Sequence, residues 1–162
     1  MPISDYIRDL RAKVGTILLQ LPSVTVLIWD EEGKLLLVRQ SDPEIWSTPG
    51  GTIEPQECPA DAAMREAWEE TGLRVRLTRM VGAFSGPEYA TLYQNGDQVC
   101  YVQIVFDAVA ESGTLRADQD EVLELGFFSP EEIAALPVPG WLPEVLSGES
   151  FRAATWTPPS AD

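Results

Sequence analysis

The segment from Gly51 to Leu73 constrains this 162-residue chain more than any other. It reads GTIEPQECPADAAMREAWEETGL. We take Pro59 to Thr71 as one α-helix, which turns by about 100° per residue. On that helix Glu66, Glu69 and Glu70 fall within an arc of roughly 100°, so the three carboxylates share one side. Like charges at this spacing destabilise an isolated helix, so the pattern predicts that something positive binds there.

The other side of the predicted helix is apolar. Met64, Ala67 and Trp68 point away from the carboxylates, and we expect this stripe to pack the helix on the protein. Ala62 and Ala63 lie beside the acidic arc, where small side chains leave room for a cation and an anionic ligand. Carboxylate oxygens suit a hard cation such as Mg²⁺, which also accepts phosphate oxygens as ligands.

At every fixed position the segment resembles the Nudix box, G-x5-E-x7-R-E-U-x-E-E-x-G-U, where U is apolar. Only Ala67 is smaller than the usual aliphatic residue. The resemblance implies metal-dependent hydrolysis of a diphosphate linked to another group, usually a nucleoside. It implies Glu69 and Glu70 as the principal ligands of Mg²⁺, or of Mn²⁺, and Glu66 as a third ligand or as the group that orients or deprotonates the attacking water.

The resemblance also assigns roles around the helix. The carbonyl of Gly50 often completes the metal shell in such proteins. Glu57 and Arg65 are expected to form a charge-assisted pair that holds the loop against the helix and aims the carboxylates. Divalent cations suit this reaction because they supply Lewis acidity, lower the pKa of bound water and fix the geometry of attack. The preceding residues 47–51, STPGG, allow close backbone approach through their two glycines.

Composition excludes several other chemistries. The chain has 11 basic and 26 acidic residues, a net charge of −15, which argues against nonspecific binding to double-stranded nucleic acid or to an anionic membrane. It contains no histidine, so a Ser-His-Asp or Cys-His nucleophile and a histidine-ligated zinc site are excluded. An acidic protein that handles an anionic substrate needs its positive charge as metal. The small-molecule nucleotide substrate that we expect is what the Nudix resemblance implies.

Patterning predicts a mixed α/β domain over residues 1–156, with a tail at 157–162 that we expect to be disordered. A helical arm at about residues 4–14 is capped by Ser4, and Ser129 and Pro130 open a late helix. The strand-like runs are 23–29, 34–39, 74–84, 98–111 and 122–128. These elements fit the α/β/α sandwich that the resemblance implies, with a mixed sheet and the box helix at about 59–71.

Cysteine usage and hydropathy predict the compartment. Cys58 and Cys100 are far apart in sequence with no C-x-x-C pair, so we expect free thiols. The apolar stretch at residues 16–28 is short and interrupted, which favours neither a signal peptide nor a membrane span. A cytoplasmic location is the resulting prediction.

Residues outside the box bear on the substrate. Glu121 lies where the family often has a late carboxylate, and it is a candidate base, metal ligand or nucleobase contact; a polar loop closing a strand is an equal alternative. Pro87, fourteen positions after Leu73, resembles the marker of ADP-ribose hydrolases. Tyr89, sixteen positions after Leu73, resembles that of dinucleoside polyphosphate hydrolases, so the two markers disagree.

Further candidates for substrate binding are an arginine and a set of aromatic side chains. Arg39 ends the second strand run, and Tyr89, Tyr93 or Phe84 could stack on a base, although aromatic residues at strand ends more often pack in the core.

Three functions are compatible with these observations. The first is hydrolysis of a nucleoside diphosphate derivative, with ADP-ribose-like compounds preferred. The second is pyrophosphate release from nucleoside triphosphates, including oxidised ones. The third is a nucleotide sensor without catalysis, against which the clustered acids argue.

The N-terminal arm and residues 137–156 could cover the domain or a second copy, and a homodimer is expected from its frequency among such enzymes.

Overall fold

The computed structural model describes residues 4–117 and 122–148. Its helices are α1 (Asp5–Val14), α2 (Pro59–Thr71), α3 (Pro130–Ile133) and α4 (Trp141–Ser147), with a 3-10 turn at Pro87–Tyr89. Its strands are β1 (Leu19–Trp29), β2 (Leu35–Gln40), β3 (Trp46–Ser47), β4 (Gly50–Thr52), β5 (Leu73–Phe84), β6 (Ala90–Leu92), β7 (Gln98–Gly113) and β8 (Val122–Phe128).

The strands form one mixed sheet. Five of them follow the order β3-β2-β1-β7-β5, while β4 pairs with β1, β6 with β7 and β8 with β2. The central pair β1 and β7 is parallel, in register from Leu19 opposite Val99 to Trp29 opposite Val109. The other pairings are antiparallel. The predicted mixed α/β fold is confirmed.

Helices pack on both faces of this sheet because successive side chains of a strand point to opposite sides. Val24, Val26 and Ile28 of β1 join the cluster that contains the alanines of α2. Leu27, between them, joins the cluster that contains Trp141 of α4. A strand buried on both faces reads as a nearly continuous apolar run, which is the sequence of β1.

Several predicted boundaries agree with the structure to within two residues. Ser4 caps α1 by accepting a hydrogen bond from the Ile7 N–H, and Ser129 forms a capping box with Glu132. Strand β8 has the predicted bounds. Strand β1 instead begins at Leu19, four residues before the predicted Ser23, because its first residues pair with β7. Pro22 does not end the strand.

The packing face of α2 differs from the prediction. Of the expected apolar stripe, Ala67 is buried, whereas Met64 is 41% exposed and Trp68 is 40% exposed. The full set of buried residues also contains two of the three acids: Ala62, Ala63, Glu66, Ala67, Glu70 and Thr71. Alanine lets the helix backbone approach the sheet closely, and two carboxylates are carried inward with it. Trp68 remains outside, where the guanidinium groups of Arg74 and Arg116 lie over its ring.

The cysteines and the lengths of the helices bear on the remaining predictions. Both cysteines there are free, Cys58 exposed and Cys100 half-buried, as predicted. No helix in the described ranges has the length and apolar character needed to cross a membrane. The predicted tail at 157–162 lies outside the described residues, as does the end of the segment 137–156.

Candidate active site

The two glycines of strand β4 allow its backbone to lie close to α2. Gly50 and Gly51 pair with Thr25 and Val24 of β1. A Cβ atom at Gly51 would lie 2.5 Å from Oε1 of Glu66, and one at Gly50 would lie 2.2 Å from the carbonyl oxygen of Val24. Any side chain at Gly51 would therefore displace the Glu66 carboxylate. The absence of a side chain at Gly51 leaves the space in which the Glu66 carboxylate lies.

Glu66 is fully buried, with 0% of its surface exposed. Its Oε1 accepts a hydrogen bond of 2.8 Å from Nη1 of Arg65. Its Oε2 has no hydrogen-bond partner among the residues that the structure describes. Burial raises the pKa of Glu66 to about 7, although Arg65 opposes the rise. A buried carboxylate oxygen without a partner is costly, and a cation or a proton would satisfy it.

The other two carboxylates of the arc have different surroundings. Glu70 is 6% exposed, and its Oε2 accepts a hydrogen bond of 3.3 Å from the Gly50 N–H. The side chain of Glu69 is 43% exposed and forms an ion pair of 3.2 Å with Arg65. Within residues 4–117 and 122–148, no three acidic or cysteine side chains are grouped closely enough to form a ready metal cluster.

These donors nevertheless fit a hard divalent cation. All are oxygen atoms, and the Glu66 oxygen without a partner is buried beside the glycines of β4. Glu66 and Glu70 both line the same cavity, together with Gly50 and Gly51. Mg²⁺ and Mn²⁺ are suited to such a set because they prefer carboxylate, carbonyl and water oxygens.

Arg65 connects the loop before α2 to the carboxylates on it. Its Nε and Nη2 donate hydrogen bonds of 2.8 Å to the two carboxylate oxygens of Glu57. Nη2 also donates to the carbonyl oxygen of Thr52 at 3.1 Å, and Nη1 donates to Glu66 and Glu69. The pair holds the pKa of Glu57 below its usual value. The structure thus brings together the two residues that the resemblance pairs.

A cavity of about 730 Å³ extends from Glu66 and Glu70 across one face of the sheet. Its ionisable lining is mostly acidic: Asp42, Glu66, Glu70, Glu88 and Asp97 contribute carboxylates, and Arg11 is the basic residue of the lining described by the structure. Nε of Arg11 lies 3.3 Å from Asp97, so its charge is already paired. The protein therefore offers little positive charge to a ligand there.

The predicted substrate-binding residues separate into two groups. Tyr93 lines the cavity, with its hydroxyl 2.6 Å from that of Tyr101. Tyr89 also lines it but is 6% exposed and stacked between Phe84 and Trp141.

Arg39 and Pro87 are not among the residues that line the described cavity. Arg39 forms ion pairs with Glu44 and Glu124 instead, and Pro87 is exposed at the start of the 3-10 turn. Glu121 lies outside the described residues.

The cavity lining also contains polar residues that the sequence did not predict as site residues. Tyr101 and Gln103 of β7 line it, as does Thr48 of the loop before β4. Thr48 Oγ1 and Gln103 Oε1 are buried and have no hydrogen-bond partner among the described residues. The sequence signal for these residues is the alternation in β7, where Tyr101 and Gln103 lie between the less polar residues Cys100, Val102 and Ile104. Polar side chains on one face of a buried strand indicate a lined cavity there.

A family model and two relatives of known sequence indicate the same family for this chain. A model described as a NUDIX domain matches residues 19–147. A Bacillus subtilis (strain 168) protein named "Putative 8-oxo-dGTP diphosphatase" is 31% identical over 114 residues, 70% of this chain and 70% of that protein. A MutT-like protein of Streptomyces ambofaciens is 30% identical over 112 residues, 69% of this chain and 66% of that protein.

A solved structure agrees with these relatives. The crystal structure of a MutT protein from Methanosarcina mazei Go1 matches with a TM-score of 0.64 at 26% identity. The match covers 79% of this chain and 91% of that one.

Proposed function

Because this chain belongs to the Nudix family and is a Nudix pyrophosphohydrolase, we propose that it hydrolyses the diphosphate of a nucleoside diphosphate linked to a further group, with ADP-ribose-like compounds preferred. The observation that carries this choice is the charge of the cavity. Its lining contains five carboxylates and one guanidinium, and that guanidinium is paired with Asp97.

Charge separates the substrate classes. A nucleoside triphosphate carries more negative charge than a diphosphate esterified at both ends, and an acidic cavity repels it more strongly. A hydroxylated sugar, by contrast, can donate hydrogen bonds to carboxylates such as Asp42 and Glu88. Buried acceptors such as Gln103 Oε1 also suit a ligand that carries N–H or O–H groups. A diphosphate with a neutral group on each side fits this lining best.

Divalent metal dependence is typical of the family, and we propose Mg²⁺, with Mn²⁺ as a substitute. Glu66, Glu69 and Glu70, with the carbonyl of Gly50, would hold it. The cation supplies Lewis acidity and neutralises phosphate charge when bound. Arg65 orients Glu66 and Glu69 through its hydrogen bonds and is itself oriented by Glu57.

The proton of the attacking water has two candidate acceptors, Glu66 and Glu121. Glu66 Oε2 is buried without a described partner, which makes it available for a proton. Glu121 follows from the family position alone. Replacing each by glutamine separates them, because a positioned general base contributes about 10² to 10⁴-fold to turnover.

A second candidate function is pyrophosphate release from a nucleoside triphosphate. The observation that favours it is the name of the Bacillus subtilis relative, which refers to 8-oxo-dGTP. The same carboxylates would serve both reactions. The two functions differ in the bond that is broken and in the charge of the ligand that must enter the cavity.

A substrate panel tests the proposal. ADP-ribose, nucleoside diphosphate sugars, dinucleoside polyphosphates and nucleoside triphosphates, including 8-oxo-dGTP, are assayed with Mg²⁺ and with chelator, and products are identified by mass spectrometry. We expect the highest kcat/KM for a nucleoside diphosphate derivative, with two monophosphate products and no turnover in chelator. A higher kcat/KM for a triphosphate with release of pyrophosphate would establish the second function. Tight nucleotide binding with no turnover of any compound would favour the sensor alternative.

A further inference from the structure

Helix α1 forms part of the cavity although it lies outside the region that matches the family, residues 19–147. Ser4, Ile7 and Arg11 line the cavity. Their spacing of three and four residues places them on one side of the helix. The helix therefore presents a continuous face, consisting of a hydroxyl, an aliphatic group and an arginine stem, to the space where substrate is proposed to bind.

Arg11 joins this helix to the start of β7 through a hydrogen bond and an ion pair. No residue of α1 is buried, and Tyr6 is 51% exposed. Arg11, in contrast, is only 11% exposed as a side chain. Ile7, Leu10 and Val14 are half-buried rather than buried, so apolar contacts supply only part of the attachment of α1.

Arg11 binds both the chain after α1 and the start of β7, and we call this set of contacts the Arg11 clasp. Its Nη1 donates to the carbonyl oxygens of Gly15 and Ile17, at 3.0 and 2.7 Å. Its Nη2 donates to the carbonyl oxygen of Gln98 at 2.8 Å, and its Nε lies 3.3 Å from Asp97. The Gln98 bond joins residues 87 positions apart in sequence. Charge-assisted bonds of this kind are stronger than neutral ones, so Arg11 attaches the helix firmly to the start of β7.

The clasp lies far along the sheet from the carboxylates. Arg11 binds the carbonyl of Gln98, whose neighbour Val99 is opposite Leu19 of β1. Further along β1, Ser23 to Thr25 are opposite β4, which lies beside the carboxylates. Four to six residues of strand separate these positions, which is about 13 to 20 Å. The diphosphate is expected near Glu66 and Glu70, so the wall made by α1 is at the other end of the bound molecule.

The lining near that wall suits a nucleobase. The lining at this end is rich in apolar and aromatic residues, among them Ile7, Leu21, Leu92, Tyr93, Val99 and Tyr101. Apolar and aromatic surfaces bind the faces of bases, whereas phosphate requires cations or N–H donors. Arg11 does not supply them, because its Nη atoms already donate to three carbonyl oxygens and its Nε faces Asp97.

We propose that α1 is the cover of a nucleobase subsite, and that Arg11 is the positioning residue that holds this cover against the β6–β7 turn. The inference rests on the proposed function in that the ligand is a nucleotide. It adds that the base lies between α1 and the β1–β7 face, and that affinity for the base depends on the Arg11 clasp. Turnover of a bound substrate does not depend on it.

The test compares Arg11→Ala with Arg8→Ala, an arginine of the same helix whose side chain is 63% exposed. Binding of AMP and of ribose 5-phosphate, which lacks the base, is measured by calorimetry, and KM and kcat are measured for ADP-ribose. For Arg11→Ala we expect about tenfold weaker AMP binding and about tenfold higher KM, with kcat within about twofold and ribose 5-phosphate binding unchanged. Arg8→Ala should behave as the wild type.

Hydrogen exchange supplies a second readout and protects against a folding defect. In the wild type, AMP should slow exchange of the α1 amides, and in Asp97→Asn, which keeps Arg11 but removes the ion pair, this protection should decrease. Unchanged AMP affinity in Arg11→Ala, or equal weakening of AMP and ribose 5-phosphate, would overturn the inference. Failure of the proposed function has a different signature, since the wild type would then prefer a triphosphate or hydrolyse no nucleotide of the panel, whatever Arg11→Ala does to AMP binding.

Discussion

The surroundings of Glu66 disfavour the charge of its side chain. Its carboxylate is completely buried, one oxygen is bonded to Arg65, and the other has no described partner. Removal from water disfavours the ionised form, which is why its pKa rises to about 7. Gly51 makes this burial possible, since the space that a Cβ atom would fill is occupied by the carboxylate.

Burial of Glu66 predicts a specific dependence of stability on pH. Its folded pKa of about 7 lies above its ordinary value of 4.5, so between these pH values the unfolded chain loses a proton that the folded protein keeps. Stability of the chelated protein should therefore fall as pH rises through this window, by roughly 3 kcal/mol in total, and change no further above it. Urea unfolding at pH 5 and pH 8 measures this, and Glu66→Gln should remove that part of the slope. Equal slopes in the two proteins would contradict the assignment.

Gly51 should be intolerant of the smallest side chain. In Gly51→Ala the added methyl carbon would meet the Glu66 carboxylate at 2.5 to 2.8 Å, so the carboxylate must move. Misplacement of a catalytic group by about 1 Å costs on the order of 10²-fold in rate, and we expect kcat to fall by about that factor. Gly126→Ala is the matched control, because its Cβ would meet Phe128 only at ordinary contact distance, 3.5 Å. Activity above a third of the wild type in Gly51→Ala would count against this packing.

At the scale of elements, α2 carries its chemistry and its packing on the same side. The sequence predicts that acids and apolar residues occupy opposite sides, but Glu66 and Glu70 are buried together with Ala62 and Ala63. Short side chains bring the helix close to β1 and β4, and this closeness places the acids beside the glycines. The outward Trp68 then packs with arginines rather than with the core.

The network around Arg65 predicts that lysine cannot replace it. Arg65 donates hydrogen bonds to Glu57, Glu66, Glu69 and Thr52, whereas a lysine ammonium cannot reproduce this planar arrangement. We expect Arg65→Lys to lower kcat/KM by about 10 to 100-fold, the usual effect of losing a group that orients metal ligands. Steady-state kinetics at saturating Mg²⁺ measures it. Arg76→Lys, in the exposed pair with Glu111, should keep wild-type activity. If both variants retained full activity, Arg65 would not orient the carboxylates.

At the scale of the whole molecule, the net charge of −15 and the acidic cavity act together. A protein of this charge repels anions, so a nucleotide can enter productively only with compensating cations. The paired strands β1 and β7 line the cavity together with residues of α1 and with Trp141 of α4. The global charge and the acidic lining thus both support the metal dependence that we propose.

Mg²⁺ should stabilise the folded protein more than ionic strength does. A ligand that binds only the native state at 100 times its Kd adds about 2.7 kcal/mol to the free energy of unfolding. Thermal unfolding in MgCl₂ and in NaCl of equal ionic strength separates specific binding from screening. The Glu66→Gln, Glu70→Gln double variant should respond to the two salts alike. An equal response of the wild type to both salts would contradict a built cation site.

The sequence by itself determined the reaction class, the oxygen character of the candidate ligands and the position of most elements. These properties depend on spacing along the chain: the helix repeat puts Glu66, Glu69 and Glu70 on one side, and local caps such as Ser129 begin helices. Tertiary structure decided which of those acids is buried, that Arg39 and Pro87 lie away from the cavity lining, and that Gln103 and α1 contribute to it. Burial and neighbourhood depend on residues far apart in sequence, such as Gly51 with Glu66 and Arg11 with Gln98, and no local pattern encodes which of them will meet.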